Sequence, residues 1–208
     1  MAFSDNIWWT KKARIEAEKR LLSYSFQSQL ILLWYSFSGV AASIYHLKNG
    51  STSEEIWVIY SILTLCISVF ISGLSFKERA ALIKDSYEAL NTMYHKAKSL
   101  EKDVSNESQR GLESLREEYS QLMGTSENHT DTDFSKAVCV AYYTCNGKKN
   151  KESKLKEGVS KAPTKLMLFD VTSWYLKKYT VLLALISIPI VIPDVVNQFH
   201  TTQLSRFS

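Results

Sequence analysis

The residues best suited to chemistry lie in one polar stretch, GTSENHTDTD, at positions 124–133. Its titratable side chains could in principle bind a metal ion: Glu127, His129, Asp131 and Asp133. Metal sites, however, need converging ligands and usually more than one nitrogen or sulfur donor. We therefore interpret Glu127, Asn128 and His129 as a structured turn and expect no metal.

A second set of polar side chains lies inside the apolar run 56–76, IWVIYSILTLCISVFISGLSF. On a helix its hydroxyl groups share an arc of about 80°. They belong to Ser61, Thr64, Ser68, Ser72 and Ser75. An earlier run, 26–45, places Ser36, Gly39 and Ser43 on one face. Small residues of this kind let membrane helices pack closely and share weak hydrogen bonds. Alternatively, several copies assemble with the hydroxyl stripe facing a water-filled lumen.

Motifs of catalysis are absent from the sequence. It contains no phosphate-binding loop, dinucleotide fingerprint, zinc-protease motif or hydrolase nucleophile elbow. The histidines are scattered, and the three cysteines, Cys66, Cys139 and Cys145, have no ligand spacing. Such cysteines are typical of reduced thiols in a reducing compartment. We therefore expect neither an enzyme nor a cofactor.

The two apolar runs are the elements that must position the hydroxyl groups. Neither run contains Asp, Glu, Lys or Arg, although the 208-residue chain carries a net charge of +4. A helix of roughly twenty residues spans a bilayer core of about 30 Å. The sequence thus predicts an all-α membrane protein, with a two-transmembrane hairpin over 28–76 and a cytoplasmic helical domain over 77–145.

The distribution of lysine and arginine predicts the orientation of this hairpin. Basic residues lie before the first run and after the second, whereas the link between the runs is short and holds one lysine, Lys48, against Glu54 and Glu55. The positive-inside rule therefore places both hairpin ends in the cytoplasm of a bacterial inner membrane. The residues expected to contact lipid or a partner are Arg14, Lys19, Arg20, Lys77, Arg79, Lys148 and Lys149.

The first segment, 1–27, is predicted to be an amphipathic helix that starts near Ile7. It either lies at the membrane interface, with Trp8 and Trp9 at headgroup level, or packs on the protein's own domain. These two interpretations remain open at the level of the sequence.

The middle segment, 77–145, has helical periodicity. A short heptad seam steps by three and four residues through Leu90, Met93, Ala97, Leu100 and Val104. It fits a bundle face within the chain or an oligomer zipper. The pattern breaks over 106–111, and a last helix, 134–145, would take its N-cap from Asp131 or Asp133.

Two segments complete the chain. The lysine-rich stretch 146–165 is predicted to be a flexible linker that could meet anionic lipid or nucleic acid. The segment 166–208 is predicted to begin with a helix and to continue into a third apolar run, 179–196, interrupted by Pro189. This run is marginal as a span because only about fourteen residues precede Pro193, fewer than the roughly twenty required.

Three stretches of the chain resemble a known family. They are ARIEAEKRLLSYSFQSQLILLWYSFSG at 13–39, FISGLSFKERA at 70–80 and SENHTDTDF at 126–134. They are similar to the SLATT proteins, bacterial two-transmembrane effectors associated with SMODS nucleotidyltransferases and SLOG sensors, and most similar to the subgroup encoded beside reverse transcriptases. The residues that map onto the family's charged flanks are Arg14, Glu16, Lys19, Arg20, Lys77, Glu78 and Arg79.

The resemblance implies an effector of antiphage defence that oligomerises in the inner membrane and depolarises the cell, with abortive infection as the outcome. It implies a homo-oligomer and a reverse transcriptase or nucleic-acid- or nucleotide-sensing partner. A different hypothesis is a membrane anchor that recruits a cytoplasmic nucleic-acid-containing complex through the lysine-rich stretch. No catalytic residue is implied.

Overall fold

The computed structural model describes residues 2–49, 54–103, 105–125, 127–148 and 155–204. Within these ranges the chain forms six α-helices and no β-strand. The helices are α1 (Phe3–Asn49), α2 (Glu54–Gly73), α3 (Phe76–Leu100), α4 (Asn106–Thr125), α5 (Asp131–Thr144) and α6 (Lys165–Leu204). The prediction of an all-α fold is confirmed.

The chain divides into two compact units, each built from segments that are distant in sequence. Unit 1 consists of Met1–Ser23 and Phe76–Tyr175, and unit 2 consists of Tyr24–Ser75 and Leu176–Ser208. The long helices α1 and α6 each contribute to both. The first helix and the middle helices, which were predicted as separate segments, therefore belong to one unit.

Helix α1 is the central element of unit 1. Its buried apolar residues occupy an arc of about 160°; they are Ile7, Trp9, Ala13, Ala17 and Leu21. Ile7 packs with α3 and α4, Ala17 and Leu21 pack with α3, and Trp9 packs with α5. In this structure the first helix thus packs on its own domain, the second of the two interpretations.

The side chain of Trp9 is only 2% exposed, so the prediction that it lies at headgroup level is wrong. Its indole Nε1 donates to Ser160 Oγ at 2.8 Å, and that hydroxyl donates to Asp5 Oδ1 at 2.6 Å. Val159 is buried beside Trp9, and Lys161 Nζ lies 5.5 Å from its ring centroid. The prediction of a flexible linker is therefore wrong for residues 155–161, which we call the strap.

Helices α3 and α4 pack against each other and against α1. Leu90, Met93 and Ala97 of the predicted seam are buried together with Ile7 and Leu115. These three residues of the seam therefore form a bundle face within the chain, whereas Val104 lies outside the described residues. Helix α3 ends at Leu100 and α4 begins at Asn106, so the pattern changes slightly earlier than predicted.

Helix α5 begins three residues earlier than predicted because Thr130, not Asp131 or Asp133, is its N-cap. Asp133 occupies the third helical position and closes a capping box. Its Oδ2 accepts from Thr130 N at 3.0 Å, while its own N–H donates to Thr130 Oγ1 at 3.2 Å. This arrangement satisfies two backbone donors that the helix itself leaves free.

Two stretches among the described residues are long and apolar enough to cross a membrane: 57–100, whose apolar part is α2, and Lys165–Val191 in α6. The run 26–45 of α1 is not among them. Although it has no charge, it contains Gln27, Gln29 and several serines. Helix α6 continues through Pro189, so the predicted interruption of the third apolar run does not occur.

Candidate functional site

Helices α1 and α2 enclose a groove of about 460 Å³ in unit 2. Six of the eight small or hydroxyl residues predicted to line a lumen or to pack helices lie along it. They are Ser36, Gly39 and Ser43 from α1, and Ser61, Thr64 and Ser68 from α2. The structure therefore brings both predicted sets to one surface.

The close approach of the two helices depends on Gly39. A Cβ atom at this position would lie 3.0 Å from Tyr60 Cε1, a closer contact than nearly all real Cβ atoms make, so the tyrosine ring would have to shift. The ring of Tyr60 thus lies against the backbone of α1, where its hydroxyl donates to the carbonyl of Tyr35 at 3.0 Å. The two tyrosine rings are stacked, with centroids 6.2 Å apart.

The groove hydroxyls are anchored to their own helices. Ser43 Oγ donates to the carbonyl of Gly39 at 2.8 Å, Ser61 Oγ to that of Trp57 at 2.8 Å, and Thr64 Oγ1 to that of Tyr60 at 2.9 Å. Each hydroxyl that donates in this way keeps lone pairs that can accept. The wall of the groove therefore offers oxygen acceptors without formal charge.

Two residues of the predicted stripe lie elsewhere. Ser72 is exposed and is not part of the groove. Ser75 follows the end of α2 and has a φ of +46°, in the left-handed region. The 100° periodicity of a helix does not extend past Gly73, where α2 ends, so the prediction for Ser75 is wrong.

Tyr35 and Trp34 connect α1 to α6 through the backbone of α6. Tyr35 Oη donates to the carbonyl of Leu185 at 2.9 Å, and Trp34 Nε1 donates to the carbonyl of Ile186 at 3.1 Å. Proline has no N–H, so Pro189 cannot bond the carbonyl four residues earlier, which is that of Leu185. Neither aromatic residue was predicted as functional. The feature of the sequence that could have indicated them is Pro189 inside an apolar run, because a proline in a helix leaves a backbone carbonyl that needs another donor.

The outer surface of unit 2 is strongly apolar. Large side chains there are about two-thirds exposed, among them Leu33, Phe37, Val69, Phe70 and Leu183. Exposed apolar surfaces of this extent mark contact with a membrane or with another protein. Together with the absence of charge in the predicted spans, this surface supports membrane insertion.

The basic residues predicted to contact lipid or a partner have several different environments. Arg14 is completely buried, and Arg20 Nε donates to Asp133 Oδ1 at 3.0 Å, in a pair whose side chains are 12% and 3% exposed. Neither guanidinium is therefore available in this structure for contact with lipid or a partner. They belong to the interior of unit 1.

The remaining basic residues lie closer to solvent. Lys19 pairs with Glu16 at 2.7 Å, and Lys136 approaches the other oxygen of Glu16 at 3.2 Å. Arg79 pairs with Glu127 at 2.6 Å. Lys77 and Lys148 are exposed, while Lys149 lies outside the described residues.

The predicted turn over Glu127, Asn128 and His129 joins α4 to α5. Asn128 Oδ1 accepts from the backbone N–H of His129 at 3.0 Å. Burial, together with the positive charge of Arg14, lowers the pKa of His129. Within the described residues no three His, Cys, Asp or Glu side chains converge as metal ligands.

Comparison with known proteins shows a family for this chain. A family model described as the SMODS and SLOG-associating 2TM effector domain family 5 matches residues 2–197. No curated protein and no solved structure matches the chain.

Proposed function

We propose a function from one premise: the chain belongs to the SMODS and SLOG-associating 2TM effector domain family 5, a family of membrane effectors. Several copies assemble in the bacterial inner membrane and conduct ions, which depolarises the cell during antiphage defence. Both ends of the hairpin face the cytoplasm, as the positive-inside rule predicts.

The groove between α1 and α2 carries this proposal. It combines five serine and threonine side chains and a glycine with the apolar residues Val40, Ile44 and Leu65. Water in a membrane requires a polar wall, because hydrocarbon offers no hydrogen bonds. When copies assemble side by side, their grooves would form a continuous lumen of oxygen acceptors, while the exposed apolar side chains face lipid.

Replacing the α2 hydroxyls of the groove tests the lumen directly. In the variant Ser61→Val, Thr64→Val and Ser68→Val, we expect ion flux through reconstituted vesicles to fall at least about tenfold, because the wall loses its acceptors. Thr64→Val preserves side-chain shape. Chemical cross-linking in the same vesicles should still show oligomers.

Ser72→Val is the matched control. It makes the same chemical change on the same helix outside the groove, and its flux should equal that of the unsubstituted protein. Normal flux from the triple variant would contradict the lumen assignment. If the triple variant lost both ion flux and oligomers, the hydroxyl residues would instead be needed for packing between helices.

The alternative function, recruitment of a nucleic-acid-containing complex through the lysine-rich stretch, has less support. Lys156 Nζ donates to the carbonyl of Cys145 at 2.8 Å and lies 5.1 Å from the ring centroid of Tyr142. Lys161 lies 4.8 Å from the ring centroid of Phe134. Two lysines of this stretch are therefore engaged within unit 1.

A further inference from the structure

Arg14 is the most unusual side chain of unit 1. It lies in the middle of the buried side of α1 and has no exposed surface. Its Nη2 donates to Met123 Sδ at 3.5 Å, which is a weak acceptor. Its Nε and Nη1 have no hydrogen-bond partner among the residues that the structure describes. Since arginine stays protonated in proteins, a full positive charge is buried there.

Two carboxylates of the contact between α1 and α5 are already paired with other cations. Asp133 accepts from Arg20 at 3.0 Å and 3.2 Å. Glu16 pairs with Lys19 and Lys136. These pairs leave Arg14 without a carboxylate of its own among the ion pairs of the described residues. Buried charges in proteins are normally paired, so an anion is the expected missing partner.

The turn before α5 brings a second donor group towards Arg14. It is fixed to α1 on both sides of this residue, because Phe134 packs on Trp9 with ring centroids 6.2 Å apart and Asp133 bonds Arg20. His129 lies in this turn, partly buried, and its Nδ1 has no partner within the described ranges. Met123, whose sulfur accepts from Arg14 Nη2, lies in the last turn of α4 directly before this turn, and the positive charge of Arg14 adds to the effect of burial in lowering the pKa of His129.

We propose that Arg14 and His129 form a binding site for an oxyanion of the phosphate class. Two oxygens of the anion accept from Arg14 Nε and from the second hydrogen of Nη2, the edge of the guanidinium whose N–H bonds are parallel, as when arginine binds phosphate. A third oxygen accepts from His129 Nδ1. The positive end of the α5 dipole adds to the attraction, whereas the exposed carboxylate of Asp131 opposes it. The bound anion joins α1 to the α4–α5 turn, whether or not the protein conducts ions.

Thermal unfolding of the full-length protein tests this site. The protein is purified in a non-ionic, phosphate-free and lipid-free detergent, and unfolding is followed by tryptophan fluorescence. Inorganic phosphate replaces chloride at constant ionic strength. We expect the unfolding temperature to rise by roughly 5–10 °C at a hundredfold excess over Kd. Arg14→Met should abolish the rise, while Arg110→Met, which removes an exposed charge from α4, should retain it.

Three other outcomes are informative. If neither inorganic phosphate nor phosphatidate in micelles raises the unfolding temperature of the unsubstituted protein, the proposal is overturned. A rise with phosphatidate alone keeps the oxyanion site and assigns its source to a lipid headgroup. If Arg14→Met does not fold, His129→Gln takes its place, and a phosphate response undiminished by that change overturns the site as described.

Discussion

At the scale of single residues, polar groups as well as apolar contacts hold α5 to α1. Asp133 serves both the capping box of α5 and the guanidinium of Arg20. Removing one partner of such a buried pair typically costs about 3–5 kcal/mol, because the other charge is left without compensation. The α1–α5 contact is therefore sensitive to changes of charge.

His129 makes this contact dependent on pH. Its pKa in the folded protein lies below that of the unfolded chain, about 6.5. As the pH falls below 6.5, the unfolded chain takes up a proton that the folded protein resists. The free energy of unfolding should therefore decrease from pH 7 towards pH 5, and His129→Gln should reduce this dependence.

The measurement is the thermal unfolding of the full-length protein across this pH range in a phosphate-free buffer. His95→Gln is the control, because it makes the same chemical change at an exposed position of α3. An unchanged slope for His129→Gln would show that His129 is not the responsible group.

At the scale of elements, α6 illustrates how a proline is accommodated within an apolar helix. Pro189 leaves a carbonyl without its intrahelical donor, and the hydroxyl of Tyr35 supplies a replacement. Membrane helices tolerate proline when neighbouring helices satisfy the freed group. The backbone carbonyl of Tyr35 also accepts from Tyr60, so one residue links α1 to both α2 and α6.

A double-mutant cycle measures this substitution of donors. Tyr35→Phe should lower the free energy of unfolding by about 0.6–1.7 kcal/mol, the range for hydrogen bonds between membrane helices. In a Pro189→Ala background the cost should be smaller, because an alanine at this position would restore the intrahelical N–H donor for the carbonyl of Leu185. Reversible unfolding in mixed micelles gives the four values. Equal costs in both backgrounds would show that the tyrosine hydroxyl and the proline act independently.

At the scale of the whole molecule, the proposed orientation predicts which residues are reachable from outside the cell. The test uses a variant in which the three native cysteines are replaced and a single new cysteine is introduced. Ser51→Cys places it in the link between the predicted spans, and Gln109→Cys places it on the exposed surface of α4. A membrane-impermeant maleimide should label the thiol at position 51 in cells with a permeabilised outer membrane. It should label position 109 only after lysis. The reverse pattern would invert the topology.

The sequence predicted those features that depend on local patterns. The absence of charge in the predicted spans indicated the membrane, the spacing of Leu90, Met93 and Ala97 indicated a buried face, and the small residues around Gly39 indicated a helix contact. Each of these signals is contained within one or two turns of a helix.

Features that depend on distant segments could not be predicted in this way. Trp9 meets a hydroxyl 151 residues away, and Tyr35 meets a carbonyl 150 residues away. Arg14 carries the same charge as the other basic residues of α1 and differs from them in what the neighbouring segments place around it. The periodicity of α1 therefore does not predict which distant segments contact these side chains.

The strap over Trp9 has a consequence for synthesis. Ribosomes add roughly 5–20 residues per second, so Ser160 emerges on the order of 10 s after Trp9. During that interval the apolar side of α1 lacks its final cover, while α2 has already left the ribosome. A nascent chain therefore exposes the apolar side of α1 and helix α2 at the same time. A chaperone or the insertion machinery would have to cover the apolar side of α1 until α2 has been inserted into the bilayer.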